Sequence, residues 1–258
     1  MFRKCSGSKV RCVPTVTLAG ALVGREGELT TLARLVKEAV AGRGGPVLVE
    51  GEPGIGKSEL VRAVVAEAAG LGCQVFWGAG DELGQALPLL PFLDGLQVRE
   101  PSTNPRRNTI VRLLRGEVAA DRGTDVPAVL AEQLLALVAE QYAVWPTILV
   151  VDDLQWADQA SITLWGRLAR SARQVPLLLV GMMRPVPQRD DLMALRRAAG
   201  DAARLELTGL TGSATKPRWA AMAADRELGA EPPASSTAPA SVTVRLELRA
   251  SAATSSVR

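Results

Sequence analysis

Histidine is missing altogether, and cysteine occurs only at Cys5, Cys12 and Cys73. Without histidine there is no Ser-His-Asp triad, no Cys-His dyad, no His-ligated zinc and no imidazole general base. Three cysteines cannot build a four-cysteine zinc site, and an odd number makes a poor disulfide framework, so reduced cytosolic thiols are expected. Neither sign of charge dominates. The 30 Lys and Arg against 27 Asp and Glu leave a net charge of +3, too small to argue for a nucleic-acid partner. No apolar run approaches the ~18–20 residues of a membrane span, and no membrane partner is expected. The first residues have a basic start and a mildly apolar stretch, loosely like a secretory signal. Pro14 and flanking threonines interrupt that stretch, and a cytoplasmic location is the expectation. What remains is a chain of 258 residues, 47% hydrophobic, enough for one large domain with a self-sufficient core.

Residues 1–20 carry basic but no acidic side chains and read as a disordered lead-in. From Glu26 the pattern is helical, with Leu29, Leu32, Leu35, Val36, Ala39 and Val40 on one face. Gly42, Gly44 and Gly45 end it. Five short runs then read as strands: Pro46–Glu50, Gln74–Trp77, Thr147–Val151, Pro176–Val180 and Arg204–Leu207. Several are continuously apolar, as strands covered on both faces are. Helical stretches at Glu59–Ala69, Ala128–Gln141, Ser161–Ala172 and Asp190–Ala199 lie between them. Alternating strand and helix define an α/β class with a largely parallel sheet. An excursion over about residues 81–126, with a basic stretch from Arg106 to Arg115, is expected to form short helices and loops. Residues 212–258 are rich in Ala, Ser, Thr and Pro and read as a disordered, low-complexity tail, with Val242–Leu248 as its one strand-like segment.

The sharpest motif is Gly51-Glu52-Pro53-Gly54-Ile55-Gly56-Lys57-Ser58, which fits G-x-x-x-x-G-K-[ST]. Glycines let the backbone turn its N–H groups around an anion. Lys57 would place a positive charge on the β- and γ-phosphates. Ser58 would offer a hydroxyl to Mg2+ at the start of a helix whose N-terminus favours negative charge. A predicted strand precedes the motif and a predicted helix follows it. The second motif is Ile148-Leu149-Val150-Val151-Asp152-Asp153, a strand with carboxylates at its C-terminal end, where open α/β sheets bind ligands. Asp152 is expected to hold Mg2+, and Asp153 to orient or deprotonate the attacking water. Arg184, after the fourth strand, is placed to sense or neutralise the γ-phosphate. Trp156, just beyond the acid pair, is expected to pack in the core.

Taken in order, LVGREGELTTLARLV, VEGEPGIGKSEL, ILVVDDLQWADQASITLW and LLLVGMMRP resemble the ATPase module of the STAND branch of AAA+ NTPases. The likeness is greatest to the N-terminal module of large LuxR-type bacterial transcriptional regulators. It covers about residues 22–211 and places the domain at 21–211. The resemblance implies an ASCE-like P-loop NTPase fold, a three-layer αβα sandwich with a parallel five-stranded sheet in the order 5-1-4-3-2. The fourth strand would then lie between the phosphate loop and the acid pair, bringing Arg184 toward the γ-phosphate. It also implies that Val23, Gly24 and Arg25 lie over the adenine.

Some features depart from that pattern. The helical lid and G-x-P element of such modules are not found, residues 212–258 are foreign to the family, and Gln155 stands where a histidine is usual. The expectation is an ATP·Mg2+ switch module with slow hydrolysis, cut short of its sensor and DNA-binding regions. Nucleotide is the expected partner, with self-association through the ATPase domain. Direct DNA binding has only the basic stretch to support it. A P-loop kinase of a small molecule and an inactive fragment are the alternatives.

Overall fold

A computed structural model describes residues 24–84, 87–117, 125–186, 189–200 and 204–209. The expectations for the lead-in (1–20), for Val23 and for the tail (212–258) fall outside these residues, as do Cys5 and Cys12. Five strands form one parallel sheet: β1 (Gly45–Gly51), β2 (Gln74–Ala79), β3 (Thr147–Asp152), β4 (Leu177–Met183) and β5 (Arg204–Leu207). Their order is β2-β3-β4-β1-β5, which is the expected 5-1-4-3-2 read from the other edge. The strands outrun the apolar runs that mark them, because ladder pairing continues past the last large side chain. Thus β2 reaches Ala79 opposite Asp152, and β4 reaches Met183 opposite Glu50. Pro176, expected to open β4, has no N–H to give. Its carbonyl instead accepts the Thr147 N–H at 2.9 Å.

Strand periodicity splits the core in two. Ile148, Val150, Leu178, Val180 and Met182 point to one face, with Val47 and Val49 of β1. Helices α1 (Glu26–Val40) and α2 (Lys57–Gly70) cover it through Leu32, Val36, Leu60, Val61 and Val64. Leu149, Val151, Leu177 and Leu179, with Leu48, point to the other face. There they meet α3 (Leu90–Gly95), α5 (Val126–Tyr142), α6 (Gln159–Ala172) and α7 (Asp190–Ala199), with Trp165 fully buried. Helices α5 and α6 begin two residues before their expected starts because caps, not apolar spacing, set helix ends. Asp125 accepts the Ala128 N–H at 3.4 Å, and Asp158 accepts the Ser161 N–H at 3.0 Å. Cys73 is a free, buried thiol, and burial pushes its pKa up, away from reactivity.

The basic stretch forms α4 (Pro105–Leu114) and its C-cap Arg115; Arg106 and Arg107 are half-buried, and Arg112 and Arg115 are exposed. Arg106 pairs with Glu140 at 2.7 Å, Arg107 donates to the Leu96 carbonyl at 3.1 Å, and Arg115 meets Glu100 at 2.7 Å. Glu50, buried on β1, receives Arg196 of α7 at 3.0 Å and Arg204 of β5 at 3.2 Å. One carboxylate thereby fastens α7 and β5 to the strand that leads into the phosphate loop.

Helix α3 approaches β2 backbone to backbone. A side chain at Gly78 would overlap the Pro91 carbonyl, and one at Gly95 would come within 2.9 Å of the Gly78 nitrogen. The obstacle is main chain, which cannot rotate aside. Gly78→Ala is therefore expected to cost about 3 kcal/mol, by forcing α3 off the sheet. A thermal melt checks this, and an unchanged midpoint would mean that α3 is not held there.

Candidate nucleotide site

The phosphate loop leaves β1 at Gly51 and enters α2 at Lys57. Gly54 and Gly56 have φ of +76° and +95°, a left-handed backbone that side chains rarely adopt. Gly56 is the N-cap of α2 and, having no side chain, supplies no cap hydrogen bond. The first-turn N–H groups of α2 thus face outward with the helix dipole behind them, an arrangement suited to an anion. Glu52, Pro53 and Gly54 are exposed at the loop's rim, and Ile55 is half-buried behind them.

Lys57 is buried and curls across the loop. Its Nζ donates to the Gly51 carbonyl at 2.7 Å and to the Glu52 carbonyl at 3.0 Å. Burial holds its ammonium below the ordinary lysine pKa. The charges of Asp153 and Asp152 oppose that fall, and Arg184 adds to it. Both acids and Arg184 therefore sit within electrostatic reach of Lys57. The loop and the acid pair meet directly: Ser58 Oγ donates to Asp152 Oδ2 at 2.8 Å, between residues 94 apart in the chain. Asp152 is buried, and burial pushes its carboxyl above the usual aspartate range, with the Ser58 hydroxyl opposing. A serine hydroxyl beside a buried carboxylate is a donor set of hard oxygens that suits Mg2+.

Asp153 follows β3 in the left-handed region at φ +50°. Its N–H donates to Asp152 Oδ1 at 2.9 Å, and its Oδ1 accepts from Gln155 Nε2 at 2.6 Å. Arg184 leaves β4 and is half-buried, with its guanidinium 5.9 Å from the Trp156 ring centroid. Trp156 corrects the expectation of core packing. The single 3₁₀ turn Leu154–Trp156 buries Leu154 and leaves Trp156 half-exposed as a platform for Arg184. Arg25 is buried and bonded internally, to Glu28 at 2.9 Å and to the Thr208 carbonyl at 2.7 Å. It ties the start of α1 to the segment after β5. The N–H of the preceding Gly24 donates to Glu26 Oε1 at 3.2 Å. A cavity of about 550 Å³ runs beside the loop, between Gly51, Glu52 and Ile55 and the segment Leu207–Gly209.

Gln155 was noted in the sequence only as a replacement. In the structure it is 1% exposed and joins Asp153 to the Arg184 backbone, whose N–H it accepts at 3.1 Å. The signal was a lone amide between apolar neighbours, two residues past the acid pair, since a buried amide must find partners.

Phosphate loop, acid pair and strand-end arginine, all at the C-terminal edge of a parallel sheet, define a nucleoside-triphosphate-binding class. A family model described as "AAA ATPase domain" matches residues 21–180. The chain belongs to that family. An uncharacterized protein of Rhizobium meliloti (strain 1021) is 26% identical over 194 residues, covering 65% of this chain. The chain spans 19% of that relative's length. Among solved structures, the Orc1 protein of Aeropyrum pernix in complex with DNA aligns with a TM-score of 0.48 and 19% identity, over 83% of this chain and 52% of that one. Cdc6p of Pyrobaculum aerophilum aligns with a TM-score of 0.48 and 16% identity, over 76% and 48%. Among the described residues, no helix is long and apolar enough to cross a membrane.

Proposed function

We propose that this domain binds ATP with Mg2+ and hydrolyses it slowly, as the switch module of a STAND-type, LuxR-like transcriptional regulator acting in the cytoplasm. The observation that carries the nucleotide reading is the 2.8 Å bond from Ser58 to Asp152, which joins the phosphate loop to the acid pair. The loop N–H groups and Lys57 hold the phosphates, and Ser58 and Asp152 hold Mg2+. The bound cation neutralises phosphate charge. Asp153 accepts a proton from the attacking water, and Arg184 faces the charge on the γ-phosphate. Val23, Gly24 and Arg25 contact the adenine. The regulator reading rests on the family resemblance, and it includes self-association that changes between the ATP and ADP states. Sedimentation in each nucleotide tests it, since identical assembly in both would count against a switch.

Asp152→Asn tests the metal site. An amide keeps the Ser58 partner but loses the charge, so ATP affinity is expected to lose most of its Mg2+ dependence, by about tenfold or more. The measurement is labelled-ATP titration at several Mg2+ concentrations. In the wild type, the same affinity should weaken as pH falls. The raised Asp152 carboxyl takes up a proton at a higher pH than an ordinary aspartate, and that proton competes with the cation. A mutant with the wild-type Mg2+ response would remove Asp152 from the metal site.

A further inference from the structure

We propose that Gln155 is a positioning residue for hydrolysis, its side-chain amide holding the Asp153 carboxylate and tying it to the end of β4 at Arg184. The inference rests on the reading of Asp153 as the group that orients water. Chemistry fixes which way the amide faces. The Arg184 backbone N–H, 3.1 Å away, can only donate, so it takes Oε1. The Asp153 carboxylate, 2.6 Å away, can only accept, so it takes Nε2. A side chain bridging these two must be a donor and an acceptor at once.

The amide also has no room to drift. Gln155 is 1% exposed, and its own backbone carbonyl accepts Arg189 Nη1 at 3.0 Å. The same Arg189 nitrogen reaches the Ala157 carbonyl at 3.2 Å, bracing the turn from both ends. Leu154 anchors the turn's other side in the core, packed where Gly181 of β4 leaves room for it. Among the described residues, no other hydrogen-bond donor holds the Asp153 carboxylate. The backbone of Asp153 is set by the left-handed turn, but its carboxylate can rotate unless a donor holds it. Gln155 is that donor, and it hangs from the strand end that carries Arg184. Movement of Arg184 toward or away from a γ-phosphate would therefore be felt at Asp153.

The test uses the full chain and compares Gln155→Leu, Gln155→Glu and Gln155→His with wild type and Asp153→Asn. Each is assayed for steady-state ATP hydrolysis, Mg2+·ATP affinity and thermal midpoint at pH 8.5. Gln155→Leu removes both bonds. Gln155→Glu keeps the acceptor for Arg184, replaces the donor to Asp153 with an oxygen and adds a like charge beside that carboxylate. Gln155→His restores one donor and one acceptor, because the imidazole is neutral at that pH. We expect kcat to fall about 10- to 100-fold in the Leu and Glu variants, as misplacement of a reacting group does. Affinity should stay within about threefold, and His should recover most of the rate. If Leu fails to fold, the Glu and His pair decides. Wild-type kcat in Gln155→Glu would overturn the proposal. So would parallel loss of affinity and midpoint in Gln155→Glu without rescue by His, since that marks a merely structural role. If wild type hydrolyses no faster than Asp153→Asn, the hydrolysis reading itself fails and takes this inference with it. A rate in wild type with none of the Gln155 effects removes the inference alone.

Discussion

Lys57→Ala is expected to weaken ATP affinity by at least about 100-fold, roughly 2.8 kcal/mol at 1.4 kcal/mol per factor of ten. Two losses combine. The first is the charge: a buried ammonium facing phosphates makes charge-assisted hydrogen bonds, worth about 1.5–3 kcal/mol each. The second is the loop's shape. Lys57 Nζ crosses the loop to the Gly51 and Glu52 carbonyls at 2.7 and 3.0 Å, and alanine leaves both carbonyls without that donor. A loop whose curvature depends on Gly54 and Gly56 then has less to hold its N–H groups around an anion. Labelled-ATP titration with Mg2+ reads the effect. Equal affinity in wild type and mutant would remove the phosphate-binding assignment.

Asp153→Asn should separate binding from chemistry. Hydrolysis is expected to fall by about 10²- to 10⁴-fold, the usual worth of a positioned general base. ATP affinity should change little, because Asp153 contacts neither Lys57 nor Ser58 directly. Its carboxylate accepts from Gln155 and its N–H donates to the Asp152 carboxylate, and an asparagine can still accept from Gln155 through its carbonyl oxygen. The fold is therefore expected to survive. Single-turnover hydrolysis beside an affinity measurement decides it. Wild-type hydrolysis in Asp153→Asn would mean that the two adjacent acids do not divide metal and water between them as assigned.

Local signals made several parts of this protein legible in its sequence. The phosphate loop is contiguous, so strand, glycines, Lys57 and Ser58 announce themselves within one stretch. Strands β3 and β4 are covered on both faces, and such strands show as unbroken apolar runs. The bounds of α7 and β5 coincide with those read from the sequence. Strand order came from the resemblance and not from the runs themselves, because nothing local says which strand pairs with which.

Other features exist only once the chain is folded. The Ser58–Asp152 bond joins residues 94 apart, and the Arg25–Thr208 bond joins residues 183 apart. Spacing along a chain cannot disclose such contacts, because the sheet's crossovers set them. Trp156 was misread because its neighbours Leu154 and Ala157 do enter the core. A single 3₁₀ turn after a left-handed Asp153 rotates the indole out of that core and under Arg184. Gln155 goes the other way, inward to a carboxylate and a backbone N–H that the sheet delivers from two different strand ends. The sequence by itself determined the phosphate-binding chemistry, because that chemistry is written in consecutive residues. Only the tertiary structure decided how the acids are held, because their restraints come from β4, α2 and α7's leading arginine, Arg189, converging on one turn.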